Sequence, residues 1–328
     1  MELTAYCMDW HITQSGAFKK LLVEPLSSRA EIRLTPWDGY RVPKPPSPKR
    51  TLVFCMLPPD QTLLSRSDIN LVWIPMWDQA QGYDDSWWKN LPKSLRVIAF
   101  SERVYEKAIF AGLQVLRLQY FLDPMLQSSA KWHDGHTLFY WNRVGLVGPN
   151  FLRKLCESLE IRKFLFKPVL DPRISSDKYY TLPRKLGSTE VVTIGSTKTH
   201  QEFLRLIEPA NIVLAPRLTE GVGMVFLESM SRGCAVIAND GSTMNEYISS
   251  GRNGLLLRGG EFSLLRRIAK RFIPKASPFL LSDSQPWRKM AEIDFQILGN
   301  KAREDHRTGY NKWQKSLEEY ADFVLNWG

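Results

Sequence analysis

Short runs of β-branched, aliphatic and aromatic residues alternate with stretches whose apolar positions recur every three or four residues, and this alternation runs through the chain twice. In the first series, strands are predicted at LTAYCMDW (3–10), EIRLTPWD (31–38), TLVFCML (51–57), INLVWIPMW (69–77), RVIAF (96–100) and LQVLRLQY (113–120). The first is followed by a helical pattern, SGAFKKLLVEPLSS. The fifth is followed by SERVYEKAIFAG, where Ser101 fits an N-cap and Gly112 lies past the helix end. The prolines of RVPKPPSPKR (41–50) break any period and mark a connector.

The period lapses across 121–136, and residues 126–136 read as a linker. The alternation then resumes with strands predicted at TLFYWNRV (137–144), FLFKPVL (164–170), EVVTIGS (190–196), NIVLAP (211–216), AVIAN (235–239) and GLLL (254–257). NFLRKLCESLEIRK (150–163) reads as a helix, and two further helical patterns, 285–303 and 310–327, close the chain. Strands and helices in alternation build parallel, doubly wound sheets. The expected fold is therefore α/β, with two Rossmann-like domains at 1–125 and 137–284. The helices of 285–328 follow, one of them placed to cross back onto the first domain. Open parallel sheets bind ligands beyond the carboxyl ends of their strands. Two such edges facing across a cleft would suit a two-part ligand.

Composition narrows the partners. The 328 residues exceed the usual size of one domain, and 44% hydrophobic content is ample for packed cores. Net charge is +10, with most of the excess after residue 130, which suits anionic partners: nucleotides, nucleic acid or acidic lipid headgroups. Cys7, Cys55, Cys156 and Cys234 are scattered and fit buried free thiols in a reducing compartment. The first residues lack the pattern of a secretory leader, and no apolar run approaches 18 residues. A cytoplasmic protein is expected. The segment LLRRIAKRFIPK (264–275) is amphipathic enough to touch the inner membrane face.

The chemistry concentrates after the strand NIVLAP, in RLTEGVGMVFLESMSRG. Glu220 and Glu228 bracket a spacer that opens Gly221-Val222-Gly223, and a helical pattern runs from Met224 to Arg232. A helix entered through glycines presents free N–H groups and a positive dipole end, which together hold phosphate. Eight residues of helix rise about 12 Å. That distance suits a ribose at Glu228 and a sugar at Glu220, with a diphosphate between them.

The run P-x-x-x-E-G-x-G-x-x-x-L-E-S-M-x-x-G-x-x-V-I-A-x-D, continuing to E-Y-I-x-x-G-x-N-G-L-L, resembles the donor-site signature of GT-B glycosyltransferases. It is similar to the large retaining family called glycosyltransferase family 4 (group 1). The resemblance implies that Glu220 contacts the donor sugar and that backbone amides of Gly221, Val222, Gly223 and Met224 meet the diphosphate or sugar. It implies that Glu228 takes the ribose hydroxyls and that Asn253-Gly254 form a structural turn. Arg143 fits the family's phosphate-binding arginine, but the lysine that follows it in relatives falls near Gly148-Pro149 and is missing. Lys154, Lys198 and Arg217 are candidates to replace it. Lys198 and Thr199 lie where relatives cradle the base. Ser15-Gly16 matches the glycine-bearing first loop, or a simple N-cap. In PMWDQAQGYDD (75–85), relatives carry a histidine where this chain has Trp77-Asp78, which makes Asp78 a candidate on the acceptor side.

No D-x-D motif is present, and His11, His133, His136, His200 and His306 show no metal spacing, though His200 lies near the predicted base pocket. The implied enzyme is a retaining, metal-independent hexosyltransferase that uses a nucleotide-diphospho-sugar and needs no cofactor. Glu220 and Arg143 carry the chemistry, with Asp78 beside the acceptor. That acceptor is a glycan or lipid-linked glycan of envelope polysaccharide synthesis, and Trp73, Trp77, Tyr83, Trp87 and Trp88 are candidates to stack its rings. Three alternatives stay open. One is an inactive GT-B-like protein that binds a nucleotide-sugar or glycan, another a nucleic-acid-directed sugar transferase, and the third a GT-B epimerase. Nucleic acid is the least expected partner, because no basic-aromatic run is present.

Overall fold

The structure is a computed structural model that describes residues 2–15, 17–39, 50–126, 128–143, 146–170, 176, 179–197, 199–257 and 290–327. The basic segment 264–275 lies outside the described residues. The chain forms two compact units. The first comprises Met1–Leu122, Thr219–Met224 and Thr308–Gly328; the second comprises Asp123–Leu218 and Val225–Arg307.

The first unit holds six strands: β1 (Glu2–Cys7), β2 (Glu31–Pro36), β3 (Thr51–Cys55), β4 (Asn70–Ile74), β5 (Arg96–Ala99) and β6 (Gln114–Arg117). They lie in the order β2-β1-β3-β4-β5-β6, and every pairing is parallel. Both faces of β3 are buried, which is why it reads as an unbroken apolar run. Helix α1 (Glu102–Phe110) opens on Ser101, whose hydroxyl accepts from the Val104 N–H, and Gly112 beyond its end has φ +69°. Trp73 and Trp88 are core: both are fully buried, their rings tilted with centroids 5.1 Å apart, and the half-buried Trp77, Tyr83 and Trp87 pack against the same core. Trp73 and Trp88 therefore offer no exposed face to a sugar ring.

The second unit holds β7 (His136–Trp141), β8 (Ile161–Lys167), β9 (Lys185–Leu186), β10 (Thr189–Thr193), β11 (Ile212–Ala215), β12 (Ala235–Asn239) and β13 (Leu255–Leu257). Their order is β13-β12-β11-β7-β8-β10-β9. All pairings are parallel except the short β9–β10 hairpin, which turns at Gly187 with φ +62° and leaves Lys185 exposed at the sheet edge. Strand order reverses between β7 and β11, so the switch point of this sheet lies between them. In such sheets that is where the crevice for a ligand opens. Arg143 follows β7, and the glutamate segment follows β11.

Three helices of this unit matter below: α2 (Pro149–Ser158), α3 (His200–Ile207) and α4 (Met224–Arg232). α2 stops at Ser158, short of the predicted 163, because Glu160 turns the chain with φ 50° and Ile161 begins β8. Residues 285–289 lie outside the described residues and 292–294 are not helical; from Phe295 the two terminal patterns run on as one helix, α5 (Phe295–Leu325). Gly309 does not break it. The Phe121 ring lies where a Cβ at 309 would project, so ring packing replaces the side chain that glycine lacks. From Thr308 onward α5 clusters with the first unit, where the Tyr320 hydroxyl donates to the Leu21 carbonyl at 2.9 Å. No described helix is long and apolar enough to cross a membrane.

Arg232, in the last turn of α4, is 3% exposed. Its guanidinium donates to the carbonyls of Ile207 (3.1 Å), Glu208 and Ala210 (3.4 Å). Ile207 and Glu208 close the negative end of α3 and Ala210 lies just beyond it, so the cation faces a cluster of carbonyls there. One side chain therefore finishes α3 and fastens it to α4. Arg232→Met should destabilise the protein by about 1.5–3 kcal/mol, the worth of one charged hydrogen bond, because it strands buried carbonyls. Urea unfolding should show a lower midpoint at an unchanged slope.

Candidate active site

The segment after β11 follows the predicted order, with one correction to its geometry. The helix covers Met224–Arg232 only, so Glu220 stands four residues before its start and the all-helical spacing of the two glutamates does not apply. Gly223 leads into α4 with φ +83°, a left-handed backbone that an L side chain rarely adopts. Gly221 is pressed against Met76. An added Cβ would come within 2.8 Å of that side chain, and Gln81 Nε2 donates to Thr219 Oγ1 at 3.0 Å. These are contacts inside the first unit. Val222 is buried, while Glu220 and Met224 are half-buried.

Asp78 lies in a single turn, Trp77–Ala80, directly after β4, and is half-buried. Met76 and Gln81, its neighbours in the chain, both touch the Thr219–Gly221 stretch, and Gln81 also donates to the Asp78 carbonyl at 3.0 Å. The first loop departs from expectation. The chain turns helical at Asp9, and Ser15 closes the segment His11–Ser15 instead of opening a helix. The Thr13 hydroxyl, donating to the Asp9 carbonyl at 3.0 Å, fastens this early turn. Gly16 lies outside the described residues.

In the second unit the side chains form a connected series. Glu228, in the second turn of α4, is 3% exposed, and its Oε1 accepts from His200 Nε2 at 2.9 Å. His200 is the first residue of α3. Thr199 before it is the N-cap, its hydroxyl accepting from the Glu202 N–H at 3.1 Å, so Thr199 shapes the helix start. Lys198 lies outside the described residues. The His200 ring is 6.0 Å from Phe203, and Phe203 is 5.5 Å from Trp141 at the end of β7. The Trp141 indole donates to the Val169 carbonyl at 2.7 Å.

Two cations share the Trp141 ring. Arg143 lies 5.1 Å from its centroid and Lys167 Nζ 4.4 Å, with Lys167 also 4.5 Å from the Phe203 ring. Lys167 ends β8, beside Trp141 in register. It is 4% exposed, and burial lowers its pKa below the usual lysine range, the charge of Glu202 acting in opposition. Among the described residues, no carboxylate lies within ion-pair distance of its ammonium. The other candidates for the second phosphate cation lie elsewhere: Lys154 is exposed on α2, and Arg217 is half-buried after β11. Gly148, where the expected lysine would fall, is the N-cap of α2. Lys167 and the His200 partnership escaped the sequence reading. The only signal for Lys167 was its place inside the apolar run FLFKPVL, and for His200 its position near the predicted base pocket.

Asn253 is structural, as its turn implies. Its amide donates to the Tyr247 carbonyl (3.1 Å) and to Asp305 (3.0 Å), and its oxygen accepts from the Ser249 N–H (2.7 Å). Among the described residues, no group of three or more His, Cys, Asp or Glu is placed to hold a metal ion.

Residues 175–272 match the family Glycosyl transferases group 1, so the resemblance read from the glutamate segment holds at that level. The D-inositol 3-phosphate glycosyltransferase of Corynebacterium aurimucosum is 32% identical over 83 residues, 25% of this chain and 20% of that protein. The enzyme of the same name from Pseudarthrobacter chlorophenolicus is 30% identical over 133 residues, 38% of this chain and 31% of that protein. The matches thus span a third or less of these relatives. Among solved structures, sucrose-phosphate synthase from Thermosynechococcus elongatus aligns with TM-score 0.62 at 12% identity over 98% of both chains. Anabaena HepE, in complex with UDP and glucose, aligns with TM-score 0.59 at 13% identity over 98% of this chain and 100% of its own. The fold is the α/β fold of the GT-B glycosyltransferases.

If the imidazole and carboxylate hold each other in solution, His200→Ala and Glu228→Ala should be non-additive. Their coupling in unfolding free energy should be about 0.5 kcal/mol or more in a double-mutant cycle. Effects that add to within about 0.3 kcal/mol would mean that the pair does not form.

Proposed function

We propose that this chain is a glycosyltransferase that moves a sugar from a nucleotide-diphospho-sugar to a hydroxyl of a glycan or lipid-linked glycan. The observation that carries the reading is Glu228. It is a buried carboxylate in the second turn of a helix that opens on left-handed Gly223, beside the switch point of a parallel sheet, within the segment that matches group 1. A carboxylate can accept from both hydroxyls of a diol, which suits a ribose. In this reading Glu220 accepts from donor-sugar hydroxyls, and the amides at the start of α4 face the diphosphate. The HepE complex with UDP and glucose supports a nucleotide-sugar as the donor class.

Breaking the sugar–phosphate bond develops positive charge on the sugar and negative charge on the departing diphosphate. Arg143 and the α4 dipole stabilise the latter. The two glutamates bind hydroxyls, so neither is left to attack carbon. The transfer therefore proceeds on one face, with the leaving phosphate oxygen taking the acceptor's proton and the anomeric configuration retained. Fixed cations supply the charge that a metal would otherwise bring. We assign the chain to family 4 within group 1, acting at the cytoplasmic face in envelope polysaccharide synthesis, with Asp78 beside the acceptor. Ser15 and Gly16, and Lys198 with Thr199, complete the proposed donor site, the latter two near the base.

A thermal-shift panel of UDP-, GDP-, ADP- and CMP-sugars should give a selective rise with one base, because ligand binding stabilises by mass action. With that donor, Glu220→Gln should cut transfer by about tenfold or more at unchanged melting temperature. A flat panel would refute the reading, and near-normal turnover in the variant would remove Glu220 from the chemistry.

A further inference from the structure

The fold gives no reason for a lysine at position 167. The residue ends a buried strand between two aromatic rings, where methionine or leucine would pack without the cost of desolvating an ammonium. Ring faces attract a cation, but they do not neutralise it. Among the described residues no carboxylate is within ion-pair distance, and the lowered pKa is the signature of that burial. A second cation, Arg143, lies on the same indole. The place is also specific: Lys167 closes the carboxyl end of β8, next to β7, and β7 borders the switch point.

We propose that Lys167 is a phosphate-binding residue, the second cation beside Arg143 for the diphosphate of the donor. It does the work of the lysine that Gly148 displaces from the expected position. The inference rests on the donor reading above and adds to it a residue from a different strand. It makes Lys167 a charge that burial disfavours in the free protein and that Glu202 offsets only in part, so an arriving anion stabilises it. A purely structural lysine behaves in the opposite way, stabilising the free protein and leaving ligand affinity alone.

The test compares Lys167→Met, Lys167→Arg and wild type as full-length chains. UDP, GDP, ADP and CDP are screened by calorimetry for the one that wild type binds most tightly, and its nucleoside and inorganic pyrophosphate are then titrated. Lys167→Met should melt at or above the wild-type temperature. It should bind the nucleoside diphosphate about tenfold or more weakly, and bind the nucleoside as wild type does. Pyrophosphate binding should fall in parallel, and Lys167→Arg should recover most of the loss. A methionine variant that binds the nucleoside diphosphate within about twofold of wild type overturns the inference while leaving the donor reading intact. So does one that melts well below wild type, or that loses nucleoside and diphosphate affinity alike. Failure of wild type to bind any of the four would refute the donor reading itself.

Discussion

The second unit depends on α3 and α4 being held side by side. Both are short helices that return from parallel strands, and short helices are marginal without tertiary contacts. Arg232 ties their carboxyl ends by donating to the carbonyls at and just beyond the end of α3, and His200 with Glu228 ties the opening of α3 to the middle of α4. A loop-borne carboxylate would lose orientation with every fluctuation of its backbone. Here Glu228 is aimed by a helix clamped at one end and bonded partway along.

Around this clamp, polarity is arranged in a definite order. The carboxyl edge of the sheet offers cations at Arg143 and Lys167, a bare helix start at α4, and an anion at Glu228. A ligand with an anionic middle and hydroxylated flanks would match that order. Trp141 organises the cationic part by touching Arg143, Lys167 and Phe203 together and anchoring its own nitrogen on the Val169 carbonyl. The rings thus fix the positions of the charges. Lys167, buried beside them, interacts with an anion more strongly than it would in bulk solvent.

The strands were legible because parallel sheets covered on both faces leave apolar runs, and the Ser101 cap and Gly112 stop follow from side-chain chemistry. What escaped was decided by tertiary contact. Glu160 adopts a left-handed turn usually left to glycine or asparagine, so α2 seemed to continue into β8. The closing patterns 285–303 and 310–327 read as two helices, but the Phe121 ring fills the space beside Gly309 and α5 runs on. In the candidate site, Glu220, Glu228 and the glycines stood in one local pattern and were visible. Lys167 ends β8 and His200 opens α3, and no local spacing joins them to Trp141 or Glu228, which only the sheet order makes their neighbours.

The two-residue strand β9 has a consequence beyond its size. A parallel sheet that ended on β10 would expose a row of unpaired amides and carbonyls, a template for another chain to extend. Folding back antiparallel at Gly187 covers part of that row, and what faces outward is a stub ending in an exposed lysine. Concentrated in a crowded cell, copies of this protein meet at that border with too little backbone to zip together and a positive charge that pushes them apart.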